Sequence, residues 1–193
     1  MTNTGAIPVN PPSPLRSNWD SAPIWFKWML HEIGVREYPG PTSNPRIIAY
    51  RQMAKINIQG DDSVVPWCAI FANAALEVNG IIGTRNPAAR SFENNPNFVR
   101  LPGPALGAIV TYWRVSRSSG EGHVNFYRGE IPQRIYGGGG NQGDSVTIAS
   151  FPRISPSFGV TGYWWPKSVP IPVVAPIVIH AGQPLDEDNQ KVD

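Results

Sequence analysis

Cysteine is almost absent: Cys68 is the only one in 193 residues. A single thiol excludes an intramolecular disulfide framework and a cysteine-based zinc finger. Charge is also scarce, at 16% of residues against the roughly 25% of an ordinary soluble domain. The net charge is only +2, and the 16 Lys and Arg are scattered without a basic cluster, so no nucleic-acid footprint is present. No long apolar run exists either. The stretch Val169 to Ile179 is short for a membrane span and is broken by Pro170, Pro172 and Pro176. The first twenty residues have neither a basic n-region nor an apolar h-region, so a Sec-type signal peptide is not expected.

Hydrophobic residues, at 41%, allow a sizeable core, and the length fits one domain. Glycine (19) and proline (21) imply many turns without reaching low complexity. Five prolines lie between Pro8 and Pro23 and five between Pro166 and Pro184. Both segments lack periodicity. The expected organisation is therefore an extended N-terminal arm (1–23), a compact body (24–166) and a Pro-rich, then acidic, mobile tail (167–193). Asp186 to Asp193 carries four acids and one lysine, a net of −3.

Within the body, helices come first. Ser21 is a candidate cap, and Ile24, Trp25, Trp28, Met29 and Ile33 recur at helical spacing before Gly34. Pro45 opens a second candidate helix through Ile47, Ile48 and Tyr50. Trp67 to Val78 is alanine-rich and apolar on most sides, which predicts a central helix stopped by Asn79-Gly80. A loop rich in Asn and Pro (Gly83 to Pro104) follows. Strand patterns then occupy Ala108 to Arg114, His123 to Arg128, Gln133 to Tyr136, Ser145 to Phe151 and Val160 to Trp165. Helices followed by strands predict an α+β fold, with N-terminal helices packed on a central antiparallel sheet of five or six strands.

Cys68 falls in the first turn of the central helix. Free N–H groups and the helix dipole there favour a thiolate, and the same N–H groups can receive an oxyanion. A cysteine nucleophile needs a base. His31, on the surface of the first helix, and His180, in the Pro-rich tail, are not expected to act, whereas His123 opens a strand in which His123, Asn125 and Tyr127 share one face. A base in turn needs an orienting group. Asn141, Gln142 and Asp144 follow a four-glycine run, Gly137 to Gly140, at the junction before the next strand. That run reads as a flexible turn, since it lacks the lysine and helix of a phosphate-binding loop. The sequence offers no compact His/Asp/Glu ligand set, so neither metal nor cofactor is expected.

Pro66-Trp67-Cys68-Ala69, the Gly122-His123-Val124 strand start and the Gly140-Asn141 strand end resemble the NlpC-type and CHAP superfamily of papain-like cysteine amidases and peptidases. Gly34-Val35, Pro39-Gly40, Ser43-Asn44-Pro45, Arg90-Ser91, Gly107-Ala108-Ile109-Val110 and Gly162-Tyr163-Trp164-Trp165-Pro166 extend the resemblance to a subgroup of small bacterial and phage proteins, from about Ile24 to Pro166. The resemblance implies a peptidoglycan hydrolase that cuts an amide in or next to the stem peptide. Cys68 would be nucleophile, His123 base and then acid, and Asn141 the orienting group. Two departures stand out. Many CHAP domains carry a glutamate where this chain has Gly139, which leaves the imidazole to a neutral amide, Asn141 or Gln142, with Asp144 ranked after them. Trp67 and Ala69 replace the usual polar neighbours of the cysteine. Trp67, Gln142, Asp144 and Trp164 are the expected substrate-binding or supporting residues. The expected partner is peptidoglycan, bound by a monomer made in the cytoplasm and released through a holin, a phage particle or a secretion machine. The alternatives are a degenerate wall-binding module, for which Trp164-Trp165 would be a stacking platform, and a secreted antibacterial effector of the same fold.

Overall fold

A computed structural model describes residues 21–179; His180 and the acidic C-terminal run lie outside the described residues. Among the described residues three α-helices precede a single antiparallel sheet. The helices are α1 (Ile24–His31), α2 (Pro45–Met53) and α3 (Cys68–Glu77). The strands are β1 (Phe98–Arg100), β2 (Ile109–Arg114), β3 (Gly122–Ile131), β4 (Arg134–Gly139), β5 (Thr147–Pro152), β6 (Ile154–Ser155) and β7 (Phe158–Pro166). The sheet runs β1-β7-β2-β3-β4-β5, with β6 pairing on β7. The fold is α+β, and the sheet exceeds the expected strand count. The extra strands are β1, which pairs only through Phe98 to Arg100, and the two-residue β6; both are too short to show alternation.

The helices form for identifiable reasons. Trp25, Phe26, Met29 and Leu30 put one buried face on α1, whose N-cap is Pro23 rather than Ser21. Asn44 caps α2 by accepting from the Arg46 N–H at 2.8 Å, and Pro45 occupies the first turn. In α3 every residue from Cys68 to Leu76 is buried. Its alanines allow close approach, and the helix lies between α1, α2 and the β3–β4 part of the sheet. That sandwiching fixes the direction in which its N-terminus points.

The four-glycine run is not a flexible turn. Gly137 to Gly139 are ladder residues of β4, and all four glycines are buried. A Cβ on Gly138 would collide with Met29 of α1, and one on Gly140 with the rings of Trp67 and Phe71. On the opposite face, a Cβ on Gly137 would enter the Asn125 amide, and one on Gly139 would sit 3.0 Å from the Asn125 Cβ. Space, not backbone freedom, requires glycine here. None of the four has a positive φ.

The body also continues past Pro166. Trp165 Nε1 donates to the Pro170 carbonyl at 3.0 Å. Glu130 N–H donates to the Ile177 carbonyl and Ile179 N–H to the Glu130 carbonyl, at 2.7 and 2.8 Å, while Ile179 is buried. Residues up to Ile179 therefore lie against β3 instead of forming a free tail. Among the described residues no helix is long and apolar enough to cross a membrane.

Candidate active site

Cys68 is the first residue of α3, after the N-cap Trp67, whose carbonyl accepts the first helical bond from the Phe71 N–H at 2.8 Å. The N–H groups of Cys68, Ala69 and Ile70 consequently have no intrahelical acceptor. A cleft of about 320 Å³ opens there, bordered by Cys68, His123, Asn141, Arg114, Glu121 and Pro66. A second cleft of about 280 Å³ shares Arg114, His123 and Asn141 and has Phe151 and Phe158 as its apolar floor.

His123 enters this space from the second position of β3, opposite Tyr112 of β2. Its ring stacks on Phe151, with centroids 5.0 Å apart, and leans towards Tyr112 at 6.1 Å. Phe158 stacks on both Phe151 and Tyr112 and completes the aromatic surround. His123 Nε2 lies 3.1 Å from Gln142 Oε1.

The orientation of Gln142 settles the tautomer. Its Nε2 donates to the carbonyls of Gly137 and Thr147 at 3.1 and 2.6 Å. Carbonyls only accept, so the amide oxygen must be the atom that faces His123 and Asn125. Asn125 Nδ2 donates to the same oxygen at 3.1 Å, and the Tyr112 hydroxyl donates to Asn125 Oδ1 at 3.2 Å. His123 Nε2 must then carry the proton, which leaves Nδ1 as the basic nitrogen. The orienting group is therefore Gln142. Asn141 borders both clefts in a left-handed conformation (φ 57°), and among the described residues it makes no hydrogen bond to His123.

Asp144 is placed elsewhere. It is exposed and borders an open groove with Arg36, Glu37 and Tyr38, and its carbonyl accepts from the Glu37 N–H at 2.8 Å. Trp67 is 1% exposed, donates through Nε1 to Glu37 at 2.7 Å and packs on Tyr50 and Phe71. Trp164 is buried on β7 and donates to Thr111 Oγ1 at 2.7 Å. Neither tryptophan borders the clefts, so both support the fold and neither offers a ring to substrate. Asn125, Tyr112 and Arg114 are the site residues that motif reading missed. Asn125 was accessible in principle, since it shares the face of His123 and lies across from two glycines.

Burial dominates the electrostatics. The thiol of Cys68 is pushed up by desolvation, although the amides of Val124 and Ala69 and the charge of Arg114 pull it down. The helix N-terminus thus does not produce a resting thiolate. His123 is pushed down to about 4 by desolvation, against the Gln142 hydrogen bond and with the Arg114 charge. Both groups therefore rest neutral, a thiol and an imidazole that border one cleft.

A histidine whose folded pKa is depressed binds fewer protons folded than unfolded between pH 4 and 6.5, so stability is lost as pH falls through that range. Urea unfolding should give a free energy about 2–3 kcal/mol lower at pH 4.5 than at pH 7. Glu77, whose burial is outweighed by Arg85 and Lys55 and whose pKa is about 2, loses its contribution only as pH falls below its unfolded value of 4.5, so it adds little between pH 7 and 4.5. A His123→Gln variant should lose most of the acid slope; an unchanged slope would contradict the assignment.

Among the described residues no cluster of three or more His, Cys, Asp or Glu is arranged to hold a metal. No family model matches this chain, and no curated protein or solved structure matches it.

Proposed function

We propose that this protein is a cysteine hydrolase of papain-like architecture that cleaves an amide bond in or next to the peptidoglycan stem peptide. The observation that carries the reading is the His123–Gln142 hydrogen bond beside the cleft that Cys68 also borders. It fixes the imidazole with its basic nitrogen free, which is the arrangement a thiol nucleophile requires. The frame is also the one such chemistry uses: a cysteine at a helix N-terminus and a histidine on the antiparallel strand packed against that helix.

In the proposed reaction, His123 Nδ1 takes the Cys68 proton as Sγ attacks the carbonyl carbon. The neutral resting pair makes this transfer concerted with attack, and first-turn N–H groups of α3 receive the oxyanion. The imidazolium then gives its proton to the amine, which leaves as the C–N bond breaks. Water, deprotonated by His123, attacks the thioester, and Cys68 departs as a thiol on regaining that proton. Gln142 keeps the ring in place throughout, but as a neutral amide it stabilises the imidazolium less than a carboxylate would. Such an activity suits phage or prophage lysis.

Purified peptidoglycan treated with the protein and analysed by mass spectrometry should yield fragments with one new amine and one new carboxylate at a single amide position. New reducing ends, signifying glycan cleavage, would overturn the reading. A second reading, wall binding without turnover, draws on the burial of Cys68, which is 6% exposed. Wall binding by the wild type with no new amine would establish it.

A further inference from the structure

Arg114 ends β2 with its backbone N–H held by the Glu121 carbonyl at 3.0 Å, and its side chain is exposed where the two clefts meet. Arg46, Arg85, Arg90 and Arg153 each pair with a carboxylate. Among the described residues the Arg114 guanidinium has no ion pair or hydrogen bond. Its charge is nevertheless felt at both reacting groups, since it lowers the pKa of Cys68 and of His123. Among the described residues the second cleft has no carboxylate side chain in its lining, which includes Arg114 and the amides of Asn141 and Gln142 with Phe151 and Phe158. Glu121 borders only the cleft that holds Cys68.

We infer that Arg114 determines specificity by taking a carboxylate on the amine side of the scissile amide, so that a free acid there is preferred to its carboxamide. The side follows from the chemistry. His123 delivers its proton to the leaving amine, and the second cleft borders His123 without bordering Cys68, so the residue supplying the amine occupies it. A planar guanidinium receives a carboxylate through two parallel N–H bonds, which a carboxamide cannot match. The inference rests on the hydrolase reading for its substrate.

Because Cys68 is the only thiol and Arg114 borders its cleft, alkylation reports on the guanidinium's charge at the reacting sulfur. The rates of modification by iodoacetate, an anion, and iodoacetamide, its neutral counterpart, should be measured on the native full chain. Any effect of Arg114 on thiolate formation cancels in their ratio. Arg114→Gln should lower the iodoacetate-to-iodoacetamide ratio about fivefold, Arg114→Lys should retain most of it, and added salt should lower it in the wild type. With muropeptides differing only in carboxylate or carboxamide on the amine-side residue, Arg114→Gln should raise KM about tenfold for the acid alone. An unchanged ratio, or equal losses on both muropeptides, overturns the inference while leaving the hydrolase reading intact. Absence of cleavage of either muropeptide by the wild type overturns the hydrolase reading, and the alkylation ratio then judges Arg114 alone. No labelling of the folded protein by either reagent contradicts both.

Discussion

Gln142→Ala should lower kcat/KM by about a hundredfold or more, the range expected when a base is misdirected. It should also cost about 2–4 kcal/mol of stability, because the truncation strands several buried polar groups at once. The wild-type amide satisfies the Gly137 and Thr147 carbonyls with its two N–H bonds, and His123 and Asn125 with its oxygen. Gln142→Glu should fail as well. A carboxylate would still accept from His123, but its second oxygen would face two carbonyl oxygens. The pocket is built for an amide. Asn141→Gly keeps the left-handed backbone (φ 57°) and removes the side chain that borders the clefts, and its kcat/KM should stay within about fivefold of wild type. Kinetics with urea unfolding on the three variants checks the assignment. Equal damage from Asn141→Gly and Gln142→Ala would contradict it.

The second large effect belongs to His123→Ala, which should reduce hydrolysis by at least about a thousandfold. Burial pushes the Cys68 thiol up, so without a base the thiolate is scarce at neutral pH. Arg114, Glu121 and Asn141 border the same cleft, but none is oriented by a buried partner as His123 is by Gln142. The fold should survive. Gln142 Oε1 keeps its bond from Asn125, and the vacated space is an aromatic-walled cavity beside Phe151 and Tyr112. That cavity suggests a control that a purely structural role would not pass: free imidazole should partly restore amine release. Failure of rescue in a folded variant, with activity within tenfold of wild type, would contradict a base at this position.

Much of this arrangement was legible beforehand. The order of helices and strands followed from a change of hydrophobic period, and the helix-start cysteine and strand-start histidine from local patterns. What escaped depended on contacts between distant residues. Asn141 and Gln142 are equal candidates by sequence; the backbone turns left-handed at Asn141 (φ 57°) after β4, and it is the Gln142 side chain that meets His123. The glycines looked like a turn because glycine is a turn former; the reason for them lies in Met29, Trp67, Phe71 and Asn125, which close on both faces of β4. Trp67 and Trp164 looked available for substrate because pattern alone does not reveal burial. The residues after Pro166 showed no periodicity, yet the backbone of Ile177 and Ile179 bonds to Glu130 of β3. The thiol was expected to be acidic from its place on the helix, and enclosure by the sheet reverses the sign.

Cys68 is proposed to attack an amide of the cell wall. The most direct test of that attack is the release of new amino groups from purified peptidoglycan by the wild type and by Cys68→Ala, a substitution that removes only the sulfur from a helix already rich in alanine. The wild type should release amines steadily at neutral pH, and the variant should fall to the level of buffer while unfolding at a similar urea concentration. Equal release by both proteins, or none by either, would contradict the account.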